Sequence, residues 1–211
     1  MNDDDAWKRY PQHRLWFNKL WLSDRLGYEC GPSGLAPETT KYYVVRPIYN
    51  LSGMGIGAEY VYIEAGDASK VPPGYFWQEL FRGEHYSATF VYEKGWRTKT
   101  CYQGFRDTND LWRFCRWRRS SKKLMLPGMF EELRDVERIN VEFKGNKIIE
   151  VHLRDTPDPH YDEFVPVWED TTQEMLDKYI EMGYTYKNNY DDADGFLGTP
   201  RLGFFVRNDK E

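Results

Sequence analysis

The first group of residues in this sequence that could do chemistry is a cation followed by a glycine-rich loop. The segment VVRPIYNLSGMGIGA places Arg46 at the end of a β-branched run, and Gly53, Gly55 and Gly57 follow it. Glycine lets backbone N–H groups approach an anion closely, so this arrangement could cradle a phosphate. The spacing matches neither GxxxxGK[ST] nor a GxGxxG that opens a helix. A glycine-rich hairpin between two strands would show the same pattern and stays an alternative.

Polar side chains on a predicted hairpin form the second group. Residues two apart in a strand share a face, so Asn140 would lie beside Glu142, and Glu150 beside His152. Carboxylate, amide and imidazole groups on adjoining strands could hold Mg²⁺ if a nucleotide supplied further oxygens. A hairpin with a solvated polar face explains the same residues equally well.

The elements that must position these residues are mostly strands. Helical spacing predicts a helix over 19–26 that ends at Gly27. PGMFEELRDV predicts a short helix, and Thr171 with Glu174 predicts a capping box before a helix closed by Gly183. Gly145-Asn146 predicts a tight turn. Alternating or β-branched runs predict strands over 42–48, 58–65, 75–81, 85–93, 96–102, 139–143, 147–153 and 203–206, whereas 111–119 fits strand or helix. The chain is therefore predicted to be α+β with mostly antiparallel pairing.

Three charged segments are predicted to be solvated structure. Asp3 to Asp5 has the composition of a frayed end, and KNNYDDADG that of a polar loop without the 12-residue calcium pattern. RFCRWRRSSKK interleaves aromatic residues with cations, as single-strand nucleic-acid binders do, but a substrate-facing patch or a solvated strand is the favoured interpretation. Because the whole chain is acidic, we expect no dedicated nucleic-acid role, although binding of single strands remains a third hypothesis.

Composition limits the class of protein. The chain has 211 residues, a net charge of −5 and a pI near 5.5, which fits one domain, or two small lobes sharing a core. It contains no apolar run of about 18 residues and begins without a signal-peptide pattern, so no membrane anchor and a cytoplasmic location are expected. Cys30, Cys101 and Cys115 are too few and too widely spaced for a disulfide framework and are predicted to be structural thiols.

Five segments, in order, resemble the ATP-grasp superfamily of ATP-dependent carboxylate-amine ligases. FNKL with the following LG and Pro32 is similar to the family's "DK...GLP" element, VRP to its "VKP" strand, and 52–57 to its mobile glycine loop. GYFWQELFRGEHYS resembles the hinge strand and its continuation. RINV resembles "RxDV", and IIEVHLR resembles "LLEANxxPG". The family's separate N-terminal substrate domain has no counterpart, so the resemblance is to a reduced form.

The resemblance implies two small α+β lobes, with antiparallel sheets, that hold ATP between them. The smaller, glycine-loop lobe would span about 37–82, and the larger would span 1–36 and 83–211, within a single domain over 1–211. ATP and Mg²⁺ are the implied cofactors. The implied nucleotide-binding residues are Lys19, Arg46, Ser52, Gly53, Met54, Gly55, Gln78, Glu79, Leu80, Phe81, Glu84 and His85. The implied metal ligands are Asn140, Glu142, Glu150 and His152, and the implied catalytic residues are Arg138 and Arg154.

The implied activity is ligation of a carboxylate to an amine through an acylphosphate. Neither substrate can be named from the residues, and a protein or peptide acceptor is possible. Asn140 and His152 stand where the family has Asp and Asn, which leaves fewer carboxylates at the metal. The alternative is therefore a catalytically degenerate ATP-grasp fold that binds a nucleotide or a partner without turnover.

Overall fold

The computed structural model describes residues 1–49, 56–107, 111–191 and 200–208. The α-helices are α1 Asp3–Arg9, α2 Lys19–Arg25 and α3 Gln173–Glu181, and 3₁₀ helices span Pro11–Phe17 and Gly128–Leu133. The strands are β1 Cys30–Pro32, β2 Lys41–Pro47, β3 Glu59–Ile63, β4 Tyr75–Glu79, β5 His85–Tyr92, β6 Trp96–Phe105, β7 Arg116–Arg119, β8 Arg138–Lys144, β9 Lys147–His152, β10 Glu163–Trp168, β11 Thr185–Asp191 and β12 Arg201–Arg207. None of the helices in these ranges has the length and apolar character that a membrane crossing requires.

The smaller sheet has four strands in the order β1-β4-β2-β3, all paired antiparallel. Side chains of β2 alternate between its two faces: Tyr43 and Val45 pack with Trp77 in a small core, while Val44 and Arg46 line a cavity. The two-residue period of β2 thus places Arg46 on the face opposite to that of Tyr43 and Val45, which anchor the strand.

The larger sheet has eight strands in the order β11-β12-β10-β7-β6-β5-β8-β9, again all antiparallel. On β8, Ile139, Val141 and Phe143 are buried in the main core, and the residues between them face the cavity. The same core takes Trp16 and Leu22 from the segments that precede the sheet. The predicted α+β class with antiparallel pairing is confirmed.

Most predicted elements lie within a residue or two of their observed bounds. The hairpin turn after β8 is confirmed, with Gly145 at φ 62°. The predicted lobe boundaries at 37–82 stay a prediction, although Cys30–Pro32 adds a strand to the smaller sheet from outside that range.

Four predictions of local structure are wrong or incomplete. Asp3 to Asp5 is not frayed, because Asn2 and Asp5 form a capping box that starts α1. Helix α3 begins one residue later than its pattern, since Thr172 rather than Thr171 accepts from the Met175 N–H. The segment predicted as a polar loop begins inside β11, which is an edge strand of the larger sheet and pairs with β12. The short helix predicted over 127–136 is present as a 3₁₀ helix that covers only Gly128–Leu133.

Strand β10, Glu163–Trp168, was not predicted. All six of its residues are buried, so its sequence EFVPVW lacks the alternation that marks a half-exposed strand. Strand β7 resolves the ambiguity over 111–119, since only Arg116–Arg119 pairs with β6 and β10.

Candidate active site

A cavity of about 1110 Å³ lies between the two sheets. Strands β2 and β4 of the smaller sheet line it from one side, and β5, β8 and β9 of the larger sheet line it from the other. Twelve of the residues predicted for the site line this cavity, namely Lys19, Arg46, Gln78, Glu79, Leu80, Phe81, His85, Asn140, Glu142, Glu150, His152 and Arg154.

Two buried cations meet where α2 approaches the end of β2. The Lys19 N–H donates to the Ile48 carbonyl at 2.8 Å, which fixes the start of α2 against the smaller sheet. Arg46 donates from Nη2 to Gln78 Oε1 at 2.6 Å, and the Ser23 hydroxyl donates to the same oxygen at 3.1 Å. Among the described residues Arg46 Nε has no hydrogen-bond partner. Burial lowers the pKa of both Lys19 and Arg46, which is opposed by the negative charge of Glu150.

Two carboxylates stand opposite each other on the β8–β9 hairpin. Glu142 pairs in register with Glu150, and Asn140 with His152, so the predicted sharing of one face is confirmed. Glu150 is buried and lies 3.4 Å from Lys19 Nζ and 3.3 Å from His152 Nε2. Glu142 Oε2 lies 3.3 Å from His85 Nε2, and among the described residues this nitrogen has no hydrogen-bond partner.

The cations around Glu142 keep its carboxylate ionised in spite of burial. Burial alone would raise the pKa of Glu142, but His85, His152 and Lys19 lower it to about 2. For His152 burial acts downward, yet Asp3 and Glu150 hold its pKa above the ordinary value. This part of the cavity is therefore a network of alternating charges.

The residues predicted as metal ligands fall into two kinds. Glu142 and Glu150 present carboxylate oxygens, which suit Mg²⁺. The amide of Asn140 is engaged with the Ser87 hydroxyl at 3.0 Å, and the His152 ring contacts Asp3. Within the described residues no group of three or more His, Cys, Asp or Glu side chains forms a preformed metal site. Two carboxylates nevertheless fit an ion that takes its other ligands from water and phosphate.

Two predicted residues are not brought to the cavity. Arg138 donates from Nη1 to Asp155 Oδ2 at 2.9 Å and is about 40% exposed. Glu84 is exposed, and its carbonyl accepts from the Gly145 N–H at the hairpin turn. Ser52, Gly53, Met54 and Gly55 lie outside the described residues.

The end of β4 and the two residues after it line the cavity. Gln78 is buried, whereas Leu80 is about 40% exposed at the cavity mouth. Phe81 packs edge-on against Tyr28, with ring centroids 4.7 Å apart.

Several cavity residues escaped the sequence analysis. Ser23 does not line the cavity but contacts Gln78, which does; it lies one helical turn after Lys19, and this i, i+4 spacing was a usable signal. Arg106, Lys144 and Arg201 add cations to the cavity wall, but each lies on a strand or strand end without a motif. Asp3 was assigned to solvent, yet its carboxylate contacts His152 and Arg154.

The basic segment around β7 has its aromatic residues turned inward. Trp117 is buried and stacks on Phe164, with centroids 6.1 Å apart and planes at 17°. Arg118 and Arg119 pair with Glu163 and Asp162. Trp117 also lines the cavity between the two sheets.

Comparison with solved structures identifies the architecture. An ATP-grasp superfamily protein from Archaeoglobus fulgidus superposes with a TM-score of 0.51 at 12% identity, over 92% of this chain and 65% of that one. N5-carboxyaminoimidazole synthetase from Staphylococcus aureus, in complex with ADP, superposes with a TM-score of 0.57 at 9% identity, over 95% of this chain and 70% of that one. No protein-family model and no curated protein matches the sequence.

The chain therefore has the ATP-grasp fold, with its cavity between the two sheets. It spans just under two thirds of the length of the Archaeoglobus fulgidus protein.

Proposed function

We propose that this protein is an ATP-dependent ligase that joins a carboxylate to an amine. One observation carries the proposal: a single cavity of the ATP-grasp fold holds two buried cations, Lys19 and Arg46, together with the opposed carboxylates Glu142 and Glu150. Cations suit the phosphates of a nucleotide, and carboxylates suit a divalent ion that accompanies them. The ADP complex of the synthetase with the same fold supports a nucleotide as the ligand.

The reaction needs charge stabilisation more than covalent help from side chains. An oxygen of the substrate carboxylate attacks the γ-phosphorus of ATP, ADP leaves, and an acylphosphate results. The amine then attacks the acyl carbon, phosphate leaves, and the amine nitrogen releases a proton to solvent or phosphate. Lys19 and Arg46 stabilise the charge that develops on the phosphoryl oxygens. A divalent ion held by Glu142 and Glu150 would neutralise further phosphate charge.

A second candidate function is nucleotide binding without turnover. It is favoured because Asn140 and His152 are not carboxylates, and each already contacts another residue, Asn140 the Ser87 hydroxyl and His152 the Asp3 carboxylate. The two candidates differ in whether phosphate is released.

The first experiment measures thermal unfolding with and without ATP and Mg²⁺. A ligand at a hundred times its dissociation constant adds about 2.7 kcal/mol, which corresponds to a Tm rise of roughly 5–10 °C for a chain of this size. Arg46→Met should abolish the rise. Arg97→Met is the matched control, since Arg97 is a surface residue with a side chain about 71% exposed. Absence of any rise in the wild-type protein would contradict a nucleotide site.

Turnover is tested by phosphate release from ATP with a panel of carboxylates and amines. Hydroxylamine in place of the amine should give a hydroxamate, which reports the acylphosphate directly. ATP binding without phosphate release or hydroxamate across the panel would favour the second candidate.

A further inference from the structure

The first turn of α1 carries a carboxylate into the cavity. Asp3 accepts from Arg154 Nε at 2.7 Å and from Arg154 Nη2 at 3.1 Å, which is a two-point contact. His152 Nδ1 lies 3.0 Å from Asp3 Oδ2. Both partners are buried, with exposures of 9% for Arg154 and 5% for His152. Asp3 therefore neutralises the positive charge of a pocket formed by His152, the last residue of β9, and by Arg154, two residues later.

The pocket keeps its shape without Asp3. Arg154 Nη1 donates to the Asp155 carbonyl at 3.0 Å, and His152 Nε2 lies 3.3 Å from Glu150 Oε1. His152 thus has a second contact on the larger sheet, and Arg154 has one with the backbone of the next residue. The guanidinium group of Arg154 is planar, and held in this way it can donate two hydrogen bonds to a carboxylate other than that of Asp3.

Asp3 itself is held by little besides this pocket. Helix α1 has seven residues and is anchored by Ala6, which is fully buried, and by Tyr10 after its end. Its first turn is closed by the capping box of Asn2 and Asp5, both exposed. Opening one terminal turn costs little, since helix ends have the lowest local stability. Asp3 can leave while the anchored part of α1 stays in place.

We propose that Arg154 and His152 form a carboxylate-binding subsite of the cavity, and that Asp3 fills it as an internal ligand until another carboxylate displaces it. The ligand class is an organic carboxylate on a short aliphatic arm, of which the aspartate side chain is the example present. That this ligand is the substrate of ligation rests on the proposed function. The subsite itself does not.

Tethering makes Asp3 a strong competitor. A group held by a short segment has an effective concentration on the order of millimolar or above. A free carboxylate must therefore bind well enough to compete at that concentration. Removal of the Asp3 carboxylate should strengthen the apparent affinity of the pocket for a free carboxylate, whereas a purely structural Asp3 would leave that affinity unchanged or weaker.

The test is chemical rescue of Asp3→Ala by formate, which has the size of the deleted group. Thermal unfolding is recorded in sodium formate and in sodium chloride at equal ionic strength, without nucleotide. We expect formate to raise the Tm of Asp3→Ala by about 2 °C or more relative to chloride. Asp3→Ala/Arg154→Met should show no such difference. Glu174→Ala is the matched control, because Glu174 is an exposed carboxylate in the first turn of α3.

Equal melting of Asp3→Ala in formate and chloride would overturn the subsite. If Asp3→Ala does not fold unaided, its refolding yield gives the same answer: recovery in formate alone supports the subsite, and failure in both salts overturns it. Formate rescue without any ATP-dependent phosphate release would leave the subsite standing and refute the ligase. Turnover without formate rescue would do the reverse.

Discussion

Replacement of Glu150 by glutamine is expected to destabilise the folded protein strongly. Glu150 is buried with both Lys19 and His152 within 3.4 Å, so its charge offsets cations that are themselves buried. Glutamine keeps the shape and removes only the charge. Loss of one partner of a buried ion pair costs about 3–5 kcal/mol.

For a chain of this length each kcal/mol shifts Tm by about 2–4 °C, so Glu150→Gln should lower Tm by roughly 6–20 °C. The lower end is more realistic, because Lys19 can release its proton: burial already lowers its pKa, and Glu150 is the main charge opposing that effect. Circular dichroism at pH 7 without nucleotide is the assay.

Glu132→Gln is the matched control. Glu132 also pairs with a cation, Arg25, at 2.9 Å, but the two side chains are 53% and 45% exposed. Exposed pairs contribute at most about 1 kcal/mol. The reasoning is refuted if Glu150→Gln melts within about 2 °C of wild type, or if both variants lose the same amount. Lys19→Met/Glu150→Gln should recover part of the loss, since it also removes the unpaired cation.

Three further predictions concern other parts of the molecule. The pKa of Glu142 is lowered to about 2 in the fold, so its contribution to stability is present above its unfolded value of 4.5 and is lost as pH falls from there towards 2; acid titration of wild type should show a steeper loss than that of Glu142→Gln. Burial raises the pKa of Cys30 and Cys101 to about 11, so iodoacetamide at pH 8 should label both slowly until the protein unfolds, and fast labelling of the native state would contradict this. Gly145→Ala should cost about 1–3 kcal/mol, because φ is 62° and a Cβ would lie 2.9 Å from the Arg82 carbonyl, whereas Gly66→Ala, with φ 82° but open space, should cost less in the same urea titration.

The strands that carry the site were accessible from the sequence for a clear reason. On β8 the apolar residues Ile139, Val141 and Phe143 alternate with polar ones, and this period of two decides which side chains face the cavity. The turn at Gly145-Asn146 sets the pairing of Lys144 with Lys147 and of Phe143 with Ile148, and a bulge between Glu142 and Phe143 then shifts the register so that Glu142 lies opposite Glu150. The local pattern and the turn therefore account for the hairpin, whereas the bulge that aligns the two carboxylates was not predicted.

The remainder depends on contacts that no local pattern reports. Asp3 and Arg154 are 151 positions apart, so only the packed structure brings them together. A run of three aspartates has the composition of a solvated end, although Asn2 caps the helix that they begin. Arg138 fits a motif but turns to Asp155, which Thr89 also contacts. The order of the motifs predicted the correct strands. Competing contacts, such as that of Arg138 with Asp155, determine which cations lie in the cavity.

The chain of hydrogen bonds from the Lys19 carbonyl through Ser23 and Gln78 to Arg46 has an evolutionary consequence. A single amide oxygen serves donors from a helix and from a strand of the smaller sheet. Loss of that oxygen would leave the Nη2 group of Arg46 without this partner in a buried place, whereas the Ser23 hydroxyl would keep the Lys19 carbonyl at 2.8 Å. A change at position 78 is therefore expected to be tolerated best when position 46 changes with it. The two positions are expected to vary together although 32 residues separate them.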